Sequence, residues 1–382
     1  MSFTPVNLGQ LPPELPAAMG GANALRLAEL HIDDLLVETT QIGASDLHLS
    51  VELPPTVRLD GKLVRLNYPP LAGQDIQRLI YEILTDTQIQ TFEKDRELDF
   101  SYGIVGVGRF RFNVYRQRGS IGAAMRAIST RIPTIEELRL PTMLRELTRK
   151  PSGLILVTGS TGAGKSTTIA AMLDVINRER ECHIMTIEDP IEYLHNHQRA
   201  MVNQRELGQD TNSFDKALRS ILREDPDVIL LGEMRDLETI SAGITMAETG
   251  HLVFATLHTR NAPQTIDRLV DVFPSNQQTQ IKVQLANALE AVVAQQLLSR
   301  NGGGRVPAVE VMLASSAVRH LVREGRTEQL PSIIETSTQL GMQSMDRSLV
   351  QLVRLNAISM DTARMATLDP ENLMKLMQTF GL

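Results

Sequence analysis

The run Gly159-Ser160-Thr161-Gly162-Ala163-Gly164-Lys165-Ser166 has the spacing G-x-x-x-x-G-K-S and is followed by Thr167. These residue types at these offsets suit the binding of a nucleoside triphosphate, ATP in the first place. Glycines let the backbone fold round phosphates with its N–H groups turned inward. A helix beginning at Lys165 adds the positive end of its dipole. Lys165 then reaches the β- and γ-phosphates, the Ser166 hydroxyl is a ligand for Mg²⁺, and Thr167 lies near the α-phosphate. The flanks fit: residues 154–158 are apolar and β-prone, and residues 167–176 have helical spacing. Strand, glycine-rich turn and helix in that order separate a phosphate cradle from a turn that merely caps a helix.

Hydrolysis also needs a partner for the metal, a group that orients water and a contact for the γ-phosphate. Asp227-Val228-Ile229-Leu230-Leu231-Gly232-Glu233 is an apolar strand ending in an acid. Carboxylates at such strand ends hold metals beside phosphates. Glu233 either holds Mg²⁺, through water, or polarises the attacking water. Thr186-Ile187-Glu188-Asp189-Pro190-Ile191-Glu192-Tyr193 sets three carboxylates close together. Burying them requires a cation. Glu188 and Asp189 are candidate metal ligands, and Glu192 or Glu188 is a candidate general base; an exposed acidic turn is the plain alternative. The stretch 250–259 carries His251 and His258 at the two ends of an apolar strand. His258 is at the ligand-facing end and is a candidate contact for the γ-phosphate.

A second cluster lies upstream. In Arg109-Phe110-Arg111-Phe112-Asn113-Val114-Tyr115 the apolar residues alternate with Arg109, Arg111 and Asn113, and Arg116, Arg118 and Arg126 follow. Alternation puts the arginines on one strand face. That face is solvated, or binds nucleic acid with aromatic stacking, or reaches a phosphate bound elsewhere. Inward-facing aromatics and a net charge of −7 rank the nucleic-acid reading below the phosphate reading.

The elements that position these groups fall into two domains, as 382 residues allow. A hydrophobic fraction of 42% and a charged fraction of 22% suit a soluble globular chain. No apolar run has membrane-spanning length and no signal pattern opens the chain, so a cytoplasmic location is expected. The single cysteine, Cys182, excludes an internal disulfide and a four-cysteine zinc site. Its neighbours His183, His195 and His197 match no standard zinc spacing. Residues 1–21, rich in proline, read as a flexible tail. Residues 22–130 read as a small α+β domain: helix 23–40, strand 45–50, strands 56–59 and 62–66 about an Asp60-Gly61 turn, helix 74–94, and strands 98–102, 109–115 and 122–128. Residues 131–141, with Pro133 and Pro141, read as a linker. Residues 142–382 alternate strands at 154–158, 183–187, 227–232 and 252–257 with helices at 165–178, 213–224 and 236–248, which predicts a largely parallel α/β sheet. Helices at 262–271 and 275–293, a strand near 306–313 and a helical part from about 300 to 382 complete the chain.

Together these segments resemble the secretion-superfamily ATPases, and within them the pilus-retraction motors. The likeness rests on Ala44-Ser45-Asp46-Leu47-His48-Leu49, the G-x-x-x-x-G-K-S run, the acidic stretch 186–193, Leu231-Gly232-Glu233-Met234-Arg235-Asp236 and the stretch 249–259. Ala317-Val318-Arg319-His320-Leu321-Val322-Arg323-Glu324 is similar to a C-terminal helix motif of retraction motors, from which Val318, His320 and Val322 depart. The resemblance implies a PAS-like N-terminal domain, a RecA-like P-loop α/β domain with a helical C-terminal extension, and a homohexamer with ATP between domains. It implies that Arg111 and Arg126 of the same or an adjacent subunit meet the phosphates, with Arg109 and Arg116 as neighbours. It makes Glu192 the base, Glu233 the holder of Mg²⁺ or its water, and His258 the γ-phosphate sensor. The expected work is type IV pilus retraction (twitching motility). The expected location is cytoplasmic, peripheral at the inner membrane, with a platform protein there and a paralogous retraction ATPase as partners, and no nucleic acid. One cysteine and the short stretch before the first domain favour retraction over assembly. An accessory retraction ATPase, a pilus assembly or secretion ATPase and a nucleic-acid translocase are the alternatives.

Overall fold

A computed structural model describes residues 27–59, 61–128 and 131–381. The expected tail, the start of the expected helix 23–40 and Asp60 lie outside them. The chain divides into two compact units, Met1–Thr130 and Arg131–Leu382.

The first unit holds α1 (Ile32–Gln41), β1 (Asp46–Leu49), β2 (Thr56–Leu59), β3 (Lys62–Arg65), α2 (Gly73–Tyr81), α3 (Asp86–Asp95), β4 (Glu97–Ile104), β5 (Gly108–Gln117) and β6 (Ser120–Ile128). The strands form an antiparallel sheet in the order β3-β2-β1-β6-β5-β4. Alternation on β5 buries Phe110, Phe112 and Val114, and Phe100 stacks on Phe112 at 4.8 Å. Ile32, Leu35 and Leu36 of α1 and Ile76, Leu79 and Ile80 of α2 complete that core. Two expected helices differ from what forms. The first α-helix begins only at Ile32, because His31 caps it: its Nδ1 accepts from Asp33 N while Asp34 accepts from His31 N. The expected helix 74–94 is two helices. Thr85 N donates to Gln88 Oε1 and Gln88 N donates back to Thr85 Oγ1, a reciprocal cap that starts a new helix.

The second unit holds α4 (Met143–Thr148), β7 (Gly153–Thr158), α5 (Lys165–Glu179), β8 (His183–Glu188), β9 (Met201–Glu206), α6 (Phe214–Ile221), β10 (Val228–Leu231), α7 (Leu237–Glu248), β11 (Leu252–Leu257), α8 (Ala262–Asp271), α9 (Ser275–Ala288), β12 (Leu289–Ser299), β13 (Arg305–Leu313), α10 (Ser316–Glu324), α11 (Leu330–Thr336), α12 (Met345–Arg354), α13 (Met360–Ala366) and α14 (Pro370–Thr379). Its sheet runs β13-β12-β7-β11-β10-β8-β9, and every pairing is parallel except β12 with β13. Both faces are covered, so β7, β10 and β11 are buried throughout. Leu154 and Leu156 face the α7–α9 side, while Ile155 and Val157 face α5.

The expected helix 275–293 stops at Ala288; residues 289–299 extend along β7 as β12 and bury Ala291, Val292, Val293 and Ala294 between neighbouring strands. The last segment accordingly opens with β13 before turning helical. Strand β9 and helix α4 are additions to the sequence-based outline. Residues 131–141 belong to the second unit, where Ile135 and Leu140 are buried in the core beside α4 and α5. Among the described residues no helix is long and apolar enough to cross a membrane.

Candidate functional site

The glycine-rich loop leaves the C-terminal end of β7, where Thr158 pairs with Leu257 of β11 and Ala294 of β12. Its glycines meet specific demands. Gly159 has φ 143°, and a Cβ there would stand 2.3 Å from the Gln295 carbonyl oxygen. Gly164, at the N-cap of α5, has φ 86°. Both therefore require glycine. Lys165 Nζ folds back over the loop, donating to Gly159 O at 2.7 Å and Ser160 O at 3.2 Å, and lies 3.4 Å from His258 Nδ1. Burial lowers the Lys165 pKa, and the charges of Glu233 and Glu192 oppose that shift. Both carboxylates thus act on the same ammonium. A loop with no room for a Cβ at Gly159, a cation spanning it and a hydroxyl residue, Ser166, next in sequence fit a triphosphate with Mg²⁺.

The acid at the end of β10 is Glu233. The position before it is Gly232, where a Cβ would stand 3.1 Å from Ile187 O of the neighbouring strand. That close approach disfavours a side chain at this position and leaves the carboxylate to the next residue. Glu233 Oε2 pairs with Arg235 at 2.8 Å and Oε1 with His258 Nε2 at 3.1 Å. Burial pushes the Glu233 carboxyl up, but the bonds from Arg235 and His258 and the charge of Arg235 outweigh it, so its pKa is lowered. An ammonium can only donate, so His258 Nδ1 accepts from Lys165 and the ring proton sits on Nε2, facing Glu233. Arg235, Glu233, His258 and Lys165 form one connected chain.

The acidic stretch behaves differently from residue to residue. Glu188 is committed to the fold: its Oε1 accepts from Thr186 Oγ1 at 2.6 Å and Gln204 Nε2 at 3.1 Å. Burial, first of all, raises its pKa. Glu188 is therefore held by hydrogen bonds within β8 and from β9. Asp189 and Glu192 are exposed. Asp189 contributes to the field on Arg235. Among the described residues no three His, Cys, Asp or Glu converge as a metal-holding group. Tyr193 ties this stretch to α5, its OH lying 2.9 Å from Thr167 Oγ1.

In the first unit, register sets Arg111 opposite Arg126, Arg126 opposite Asp46 and Asp46 opposite Arg58. Asp46 is buried and accepts from Arg126 Nε at 2.8 Å and Ser45 Oγ at 2.7 Å. Arg58 Nε is 3.9 Å away. Asp46 thus stands between Arg126 and Arg58, with Arg111 on the far side of Arg126, and Arg111 and Arg126 are exposed. Arg116 is engaged elsewhere, bonded to Glu93 at 2.6 Å and lying over the Phe92 ring.

Comparison with known proteins agrees with this architecture. The family described as Type II/IV secretion system protein matches residues 23–303. The chain belongs to that family. It is 49% identical over 343 residues to the type IV pilus retraction ATPase PilT of Pseudomonas aeruginosa, covering 90% of this chain and 100% of that protein. It is 43% identical to a twitching motility protein of Neisseria gonorrhoeae, covering 84% of this chain and 86% of the relative. A crystal structure of the pilus retraction motor PilT with bound ADP aligns with TM-score 0.85 at 47% identity, over 91% of this chain and 100% of that one. The Legionella pneumophila ATPase DotB aligns with TM-score 0.76 at 26% identity, over 88% and 95%.

Within this family the second unit is the RecA-like, nucleotide-binding domain with a helical C-terminal part, and the chain is a P-loop ATPase. Sequence reasoning missed three residues of the site. Arg235 stands two residues after Glu233 and carried a signal as a nearby cation. Tyr193 was visible only as the end of an acidic run. Gln295 carried none, because the expected helix 275–293 took the start of its strand and left the rest without an assignment.

Proposed function

We propose that this chain is a hexameric motor that couples ATP hydrolysis to type IV pilus retraction. The observation that carries the reading is the connected Lys165–His258–Glu233–Arg235 chain beside the phosphate loop, in a protein similar to PilT over that relative's whole length. The loop residues Gly159, Ser160, Thr161, Gly162, Ala163, Gly164, Lys165, Ser166 and Thr167 bind ATP. Lys165 exchanges the carbonyls it now bonds for phosphate oxygens, a stronger charge-assisted contact. Ser166 and Glu233 hold Mg²⁺, directly or through water, with Asp189 nearby; the ion supplies charge that neutralises phosphate oxygens. Glu192, exposed and within electrostatic range of Lys165, accepts the proton of the attacking water. His258 gives up its bond from Lys165 when a γ-phosphate arrives and so senses it. Arg111 and Arg126 of the first unit, from the same or an adjacent subunit, neutralise developing charge, a contribution of about 10³–10⁵ in rate. Closure of the units on ATP and their release after hydrolysis change the ring's shape. The ring acts at the cytoplasmic face of the inner membrane on a platform protein, alongside a paralogous retraction ATPase.

An accessory role is the second reading, since the chain is also 38% identical to the type IV pilus ATPase PilU of Pseudomonas aeruginosa. The higher identity to PilT, 49%, favours the principal motor. Deleting the gene decides the matter: non-twitching cells with excess surface pili, restored by the parental gene and not by Lys165→Ala, are expected. Bald cells would make it an assembly motor, and unaltered twitching would remove the proposal.

A further inference from the structure

Gln295 lies on β12 at the level where the phosphate loop leaves β7, since Val293 pairs with Val157 and Ala294 with Thr158. It is 3% exposed. Both ends of its carboxamide are used: Nε2 donates to Ala163 O at 2.6 Å, and Oε1 accepts from Thr168 Oγ1 at 2.7 Å. Its backbone carbonyl fills the space a Gly159 Cβ would need, and its Nε2 is 2.9 Å from where a Gly164 Cβ would stand. One residue therefore touches the loop's first position, its closing peptide and the first turn of α5.

The peptide unit explains why this contact bears on the ligand. In a planar trans peptide the carbonyl and the following N–H point in opposite directions. Drawing the Ala163 carbonyl toward β12 turns the Gly164 N–H away from it. We propose that Gln295 is a positioning residue for nucleotide binding: it holds the Ala163–Gly164 peptide so that the Gly164 N–H faces the phosphates. Only a carboxamide meets both demands here. Ala163 O accepts and the Thr168 hydroxyl donates, so the side chain must donate at one end and accept at the other. An ionised glutamate can only accept, and it would set a negative charge beside the phosphates. Methionine has the size and neither strong hydrogen-bonding function. This role belongs to the loop of a P-loop ATPase and is independent of what the motor moves.

The test is ADP binding by calorimetry on the full-length protein, with the parental protein as reference. Gln295→Met is expected to weaken ADP about tenfold, the equivalent of one lost hydrogen bond to a charged group. Gln295→Glu adds a readout that simple loss of packing does not move. Its protonated carboxyl donates and accepts as the amide does, so its affinity relative to the parent recovers as the pH falls from 8 to 6. Should these variants fail to fold, Thr168→Val removes only the hydroxyl that orients the amide, and it too weakens ADP. Parental affinity in Gln295→Met, a relative affinity of Gln295→Glu that does not change with pH, or parental affinity in Thr168→Val overturns the proposal.

Discussion

Glu233→Gln separates what this side chain does for the fold from what it does for hydrolysis. The carboxylate pairs with Arg235 at 2.8 Å and His258 at 3.1 Å, and these bonds keep its pKa below the ordinary carboxylate value. It is therefore ionised at neutral pH. Both partner side chains are open to water, at 66% and 46% exposure. Screening leaves each such pair worth about 0–1 kcal/mol. Losing both costs about 1 kcal/mol, or a fall of about 2–4 °C in the melting midpoint of a unit this size. Hydrolysis depends on the charge far more. The neutral amide removes one of the two carboxylates that hold the Lys165 charge against burial, and it withdraws the proposed metal contact. A group in that role is worth about 10²–10⁴ in rate, which is about 3–5 kcal/mol of barrier. The assay is single-turnover hydrolysis over a Mg²⁺ series, paired with a thermal melt and run beside Glu192→Gln. Glu233→Gln should lose at least about 100-fold with an increased Mg²⁺ requirement and a small melting shift. Glu192→Gln should lose as much at an unchanged Mg²⁺ requirement. Parental hydrolysis by Glu233→Gln, with a parental Mg²⁺ response, would refute the reasoning.

Asp46 links the first unit to pH. Burial raises its carboxyl, but bonds from Ser45 and Arg126 and the charge of Arg126 leave its pKa below the ordinary carboxylate range. A depressed folded-state pKa means the stabilisation is present above the unfolded-state value and disappears as the pH falls through the folded-state value. Asp46→Asn should destabilise the first unit by about 1 kcal/mol at neutral pH, and the gap from the parent should close in acid. Tyr68, Tyr81, Tyr102 and Tyr115 lie in that unit and only Tyr193 lies in the other, so tyrosine emission in urea reports it; a gap that persists in acid would contradict the assignment. Arg319 donates to Ala286 O, Asn287 O and Glu290 at 2.7, 2.7 and 2.6 Å. Arg319→Ala should cost the second unit about 2 kcal/mol, with Arg319→Lys recovering less than half because an ammonium lacks the planar fork. Scanning calorimetry reads both, and an unmoved midpoint for the alanine variant would show these bonds to be idle.

The parts of the fold legible in the sequence are those with local punctuation. The G-x-x-x-x-G-K-S run announces a strand before it and a helix after it, and β7 and α5 lie there. Strand β5 shows its strict alternation. The misread segments lack such marks or hide them. Residues 275–299 contain no Gly or Pro, and Ala, Gln and Leu suit a helix, so the change at Leu289 is imposed by the open edge of β7. That error, over 289–293, hid the strand on which Gln295 sits just beyond the expected helix. Thr85 and Gln88 did carry a readable cap signal inside the expected helix 74–94. The bonds that Glu188 receives from Thr186 and Gln204 left no mark in the sequence, because the second depends on β8 pairing with β9.

Helix α9 ends at Ala288 and β12 begins at Leu289, with nothing between them. Connections of a few residues are the rule in such sheets, and they take up slack. Here the joint is also gripped from outside, because Arg319 of α10 bonds the last carbonyls of the helix and the second residue of the strand. From Glu290 to Gln295 the extended backbone makes a stiff strut of about 17 Å. An unbroken bonded path therefore runs from α10, through Arg319 and this strand, to Gln295 and the nucleotide loop.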